Sequence, residues 1–90
     1  MAILVLRHQV ANYDAWRKVY DSVGEMQTAG GVTDKAVFRA ADDPNTVLVY
    51  HRFATMAEAQ AFPGRADLGA AMAGAGVDLA SIRAEFYEET

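Results

Sequence analysis

Apolar and polar residues alternate along four stretches of this chain and recur at helical spacing along two others, in the order strand, helix, strand, strand, helix, strand. From Ile3 to Val10 the sequence is rich in β-formers. Ile3, Leu4, Val5 and Leu6 are apolar on both alternating sets, which suits a strand covered on both faces. Asn12 can cap the helix that follows, where Trp16, Val19, Tyr20 and Val23 fall at i, i+3, i+4 and i+7 and make one apolar stripe. Gly30-Gly31 supplies the positive φ of a helix exit. Val32 to Ala41 alternates as a second strand, Asp42-Asp43-Pro44-Asn45 is turn chemistry, and Thr46 to Phe53 is strongly β-branched and aromatic, so the three read as a hairpin. Thr55 and Glu58 match a capping box in which the Glu58 side chain reaches back to the Thr55 amide. The helix they open is interrupted by Pro63-Gly64 and resumes with Leu68, Met72 and Ala75 on one side. Gly74 and Gly76 stop it, and Leu79 to Glu89 alternates as a last strand.

This order is a split βαβ unit used twice, the ferredoxin-like α+β fold. Right-handed crossovers place the first and third strands at the centre of a four-stranded antiparallel sheet with the helices on one face. The other face is bare, yet every strand carries apolar residues on both of its alternating sets. A second copy of the same sheet is the expected cover, with Val47 and Val49 as candidates for the covered positions. Two sheets that close on each other enclose a barrel that can hold a small ligand.

Composition narrows the field further. The 90 residues make one domain, spanning 1–90, with 52% hydrophobic and 22% charged residues, which is ordinary for a globular chain. The formal net charge is −4 and the basic residues are scattered singly. Phosphate binding needs a concentrated positive footprint, so nucleic acid is not an expected partner. Cysteine is absent, which excludes disulfides, thiolate metal sites and cysteine nucleophiles. The apolar run in Met1 to Val10 lacks a basic start and a cleavage site and breaks at Arg7-His8-Gln9. A cytoplasmic protein with no membrane association is expected.

The only two histidines, His8 and His51, fall within strands. Either can serve as a general base, since imidazole titrates near neutral pH, or as a satisfied structural residue. Alternation alone does not say whether they share a face. Tyr50 and Tyr87 can turn hydroxyls inward, and Arg7, Arg39, Arg52 and Arg83 each lie one step from an apolar strand position, where an arginine could hold an oxyanion. Trp16 and Tyr20 read as core, on their helical stripe. No metal-ligand spacing, Gly-rich phosphate loop or nucleophile elbow is present.

Arg7-His8-x-Val10 with Asn12-Tyr13-x-x-Trp16, the Asp42 to Asn45 turn, the run Val47 to Phe53, and Asp67-Leu68 with Ala71-Met72 and Ala75-Gly76-Val77 resemble small members of the dimeric α+β barrel superfamily. Among these the sequence is most similar to antibiotic biosynthesis monooxygenase-like and cyclase-like proteins. The resemblance implies a homodimer and a cofactor-independent enzyme acting on an aromatic or polyketide-like molecule in the barrel cavity. His8 or His51 would be the base, assisted by Tyr50 or Arg39. It also leaves open a non-catalytic small-molecule-binding or enzyme-associated module, and heme binding.

Overall fold

The computed structural model describes all residues from 1 to 90. Its elements are β1 (Ala2–Val10), α1 (Tyr13–Ser22), α2 (Gly24–Ala29), β2 (Val32–Ala40), β3 (Asp43–Phe53), α3 (Met56–Ala61), a 3₁₀ turn at Phe62–Gly64, α4 (Ala66–Gly74) and β4 (Val77–Glu88). The helix starts follow the expected chemistry. Asn12 Oδ1 accepts from the Ala15 amide at 2.9 Å and opens α1. Thr55 Oγ1 accepts from the Glu58 amide at 3.2 Å and donates to Glu58 Oε1 at 3.2 Å, so the box closes side chain to side chain rather than onto the Thr55 amide.

The first helix is divided where the sequence reads as continuous. Val23 leaves the helical region with φ −107° and ψ 22°, its N–H bonding to the Tyr20 carbonyl, and α2 restarts at Gly24. Gly31 then reverses the chain with φ 101°, and a Cβ there would strike the Glu58 carboxylate. Glycine meets both demands. The 3₁₀ turn carries Pro63, which has no N–H to give to a continuing helix.

The strands form one sheet in the order β2-β3-β1-β4, with every neighbouring pair antiparallel. β1 and β3 are therefore central, as the crossover rule requires. Their register pairs Leu4 with His51, Leu6 with Val49 and His8 with Val47, which puts all six side chains on one face. That face lies under the helices. Ala2, Leu4, Leu6, Val47, Val49 and Phe53 are buried there against Trp16, Tyr20, Phe62 and Leu68.

This corrects one expectation. Val47 is 0% and Val49 2% exposed, beneath the helices and not on the bare face. The helix-free face instead presents Ile3, Val5, Leu48 and Tyr50, flanked by Phe38 and Tyr87, which are 55% and 49% exposed. Both alternating sets are apolar, so periodicity separates the faces without saying which one the helices cover.

Candidate functional site

A cavity opens between the sheet and the helices. The sheet supplies His8, Val49 and His51, α1 supplies Trp16 and Tyr20, and α4 supplies Leu68 and Met72. Each side chain is placed by backbone periodicity. His8 and His51 face the helices because each lies an even number of residues from Leu4 or Val49 on its own strand. Trp16 and Tyr20 are one turn apart on the buried side of α1. His8 also marks a break in the sheet: the β1–β4 register slips between Arg7 and Gln9, leaving His8 without a partner on β4.

The aromatic rings form a continuous row. His8 and Trp16 have ring centres 5.7 Å apart, Trp16 stacks on Tyr20 at 4.9 Å, and Tyr20 lies nearly parallel to His51 at 6.0 Å. Phe62 closes the row edge-on to His51 at 5.4 Å. One buried hydrogen bond joins the row, between Tyr20 Oη and His51 Nε2 at 2.9 Å. His8 is 3% and His51 2% exposed. Both His8 ring nitrogens and His51 Nδ1 have no hydrogen-bond partner in the protein.

Burial governs the protonation states. It lowers the His51 pKa to about 4, with the Lys35 charge acting in the same direction. Burial likewise lowers His8 and pushes Tyr20 up to about 12. At neutral pH the site thus holds two neutral imidazoles and a phenol. None of the cavity-lining residues carries a formal charge at that pH, so nothing in the wall favours an ionic ligand over a neutral one. The cavity volume is about 40 Å³. That space accepts one or two water-sized molecules, whereas a benzene ring needs a cavity of about 150 Å³. An aromatic ligand therefore requires the side chains that line the cavity to move apart.

Of the four residues singled out from the sequence, the structure brings His8 and His51 to this cavity and leaves the other two outside it. Tyr50 is on the helix-free face, where its hydroxyl accepts from Arg52 Nε at 2.9 Å. Arg39 lies at the sheet edge, its guanidinium 4.0 Å from the centre of the Tyr13 ring and its Nε donating to the Pro44 carbonyl at 3.0 Å. Both expectations assumed a cavity between paired sheets. Trp16 and Tyr20 were read as core only. The available signal was the Tyr20 hydroxyl on an apolar stripe, since a buried phenol needs a polar partner. Gln27, also in the wall, gave no such signal.

No family model and no curated protein matches the sequence. Solved structures do match, over nearly the whole chain. A Nitrosomonas europaea protein provisionally named an antibiotic biosynthesis monooxygenase is 16% identical with a TM-score of 0.74, covering 99% of this chain and 98% of its own. A Bordetella bronchiseptica protein with the same provisional name is 10% identical with a TM-score of 0.79, covering 99% of this chain and 96% of its own. A third, from Caulobacter crescentus, is 17% identical with a TM-score of 0.77, covering 99% of this chain and 89% of its own. At these identities the likeness is one of fold: this chain has the ferredoxin-like α+β fold of antibiotic biosynthesis monooxygenase-like proteins.

Proposed function

We propose that the chain is a small enzyme of the monooxygenase or cyclase type, acting without metal or organic cofactor on an aromatic or polyketide-like molecule held in the cavity between sheet and helices. The observation that carries this reading is His8: a buried, neutral imidazole with both nitrogens unpartnered, facing an aromatic-walled cavity. A buried polar group without a partner costs free energy, and such sites are where function is to be sought. Its free lone pair suits it to take a proton from a phenol or a β-dicarbonyl carbon. The aromatic and aliphatic side chains that line the rest of the cavity suit an apolar substrate.

In the oxygenase version, His8 removes a proton from an activated CH₂ group and the carbanion forms a C–O bond with dioxygen. The hydroperoxide then loses water to leave a carbonyl, so one oxygen atom enters product and the other leaves as water. In the cyclase version the same carbanion adds to a carbonyl carbon of its own chain. The names borne by the structural neighbours support the oxygenase version.

The test is dioxygen uptake and substrate loss over a panel of phenols, hydroxylated anthrones and β-dicarbonyl compounds. Turnover of at least one is expected, and His8→Ala should lower it about a hundredfold or more with the fold intact, as for loss of a general base. An unchanged rate returns His8 to a structural role. The small cavity favours a second reading, a binding module without turnover, and tight binding with no consumption of any compound would select it. Heme is a poor fit to so narrow a space.

A further inference from the structure

Two spaces meet at Gln27. One is the cavity between sheet and helices; the other is a pocket of about 250 Å³ at the surface between α2 and β2, walled by Thr28, Thr33, Asp34 and Lys35. Gln27 is the one residue that lines both, and it is 2% exposed. The spaces differ in kind. The inner wall is uncharged and mostly apolar, whereas Val32 is the only apolar side chain of the outer pocket.

Lys35 supplies the charge on the cavity side of β2. Its partner across the sheet is His51, so its side chain leaves the strand on the helix-covered face. The Nζ donates to Gln27 Oε1 at 2.7 Å and lies 5.4 Å from the centre of the Tyr20 ring. An ammonium has three donors, and this bond uses one. The ion pairs of the chain, Arg17 with Asp21, Arg52 with Glu89 and Arg65 with Asp67, leave Lys35 out. The charges nearest to it are already engaged. Arg17, whose guanidinium lies 5.6 Å from the same Tyr20 ring, is held by Asp21 at 3.0 Å. Asp34 turns Oδ1 to the Lys35 amide at 2.9 Å and stands across the sheet from Arg52. Lys35 is itself exposed, so a ligand reaches it from solvent.

We propose that the pocket at Lys35 is the outer half of one site, and that its ligand is an amphipathic acid whose carboxylate takes the free donors of Lys35 while its apolar part passes Gln27 into the cavity. This deepens the reading of the cavity as a ligand site and rests on it. The inner wall has no charge to offer a carboxylate, and an ammonium outside it supplies a charge-assisted hydrogen bond and an orientation. Lys35 is then a specificity residue that selects acids over the matching neutral compounds. For the proposed enzyme the substrate class narrows to phenolic acids and polyketide-chain acids, bound with the apolar end innermost.

Trp16 is the only tryptophan of the chain and stands in the cavity wall, so its fluorescence reports occupation of the inner space. The probes are phenylacetate, 3-phenylpropionate and 4-phenylbutyrate, each titrated against its primary amide. At least one acid should perturb Trp16 and bind about tenfold tighter than its amide, the size of effect expected of a hydrogen bond to a charged group. Lys35→Met should remove the preference and leave the affinity for the amide unchanged, and Lys35→Arg should retain the preference. Equal affinity for acid and amide, a preference that survives Lys35→Met in folded protein, acid binding that leaves Trp16 unperturbed, or no acid binding at all overturns the proposal. The proposed function fails by a different result: Lys35-dependent binding of acids with no compound consumed leaves the subsite standing in a protein that is not an enzyme. Turnover of neutral compounds at a rate that Lys35→Met does not change, with no preference for acids, removes the subsite and leaves the enzyme.

Discussion

His51 is neutral at pH 7 because burial withholds water from its charged form, and Tyr20 keeps its proton for the same reason. The consequence for stability has a definite sign. The unfolded chain binds a proton at His51 near its ordinary value of 6.5, whereas the folded chain does so only at about 4. Stability from this residue is complete above the unfolded value and is lost as pH falls toward the folded one. The loss between about pH 7 and about pH 5 amounts to roughly 2 kcal/mol, and the lowered His8 acts in the same direction. Denaturant midpoints should fall measurably over that interval. The lowered carboxylates Asp43 and Asp67 add their losses only at lower pH. His51→Gln should flatten the upper part of the profile, and a wild-type midpoint that holds constant down to about pH 4 would show that His51 is not a buried neutral imidazole.

α4 carries a glycine, Gly69, in its interior. Of Ala66–Gly74 only Leu68 is buried, yet α4 supplies part of the cavity lining. A Cβ at Gly69 would meet nothing within 4 Å, so Gly69→Ala should stabilise the protein by about 1 kcal/mol through helix propensity alone. A higher denaturant midpoint is the expected outcome, and a lower one would mean that α4 is not a regular helix there. Gly31→Ala should do the reverse, because φ is 101° and the Glu58 carboxylate occupies the space. The same elements show what the sequence could convey. Asn12 and Thr55 announced their helices, and β-branched and aromatic residues announced the hairpin, because these signals are local. The break at Val23 was hidden, since Val23 continues the apolar stripe of α1 and neither Pro nor Gly precedes it. The shared face of His8 and His51 was hidden too, because it depends on the register between β1 and β3. The site went unlocated for a related reason: with both strand sets apolar, nothing local distinguished the helix-covered face of Val47 and Val49 from the free face of Leu48 and Tyr50.

At the scale of the whole molecule, the helix-free face is the feature a lone chain handles worst. Ile3, Val5, Leu48 and Tyr50 stand in adjacent rows on the two central strands, and Phe38 and Tyr87 extend the apolar surface onto the two edge strands. Arg7, Arg52, Arg83 and Glu85 stand among them on the same face, but soluble monomers seldom leave a large apolar surface open. We propose that a second copy covers it, sheet against sheet about a twofold axis, since one surface is then complementary to itself. A stable interface buries about 800 Å² on each partner, which a four-stranded sheet of this length can supply. The protein should run at twice the chain mass at micromolar concentration. Leu48→Asp places a carboxylate on that face opposite Arg7, and pairing would take both charges out of water at a cost that their attraction need not offset. It should yield monomers whose circular dichroism is unchanged and which bind a hydrophobic dye. Val49→Asp, one residue further on, buries its charge under the helices instead and should abolish folding. The contrast between neighbours is the discriminating result, because a merely destabilising charge would act alike at both positions. Wild-type protein that is monomeric and binds no dye would sink the dimer, and unfolding by Leu48→Asp would place Leu48 in the core of the single chain.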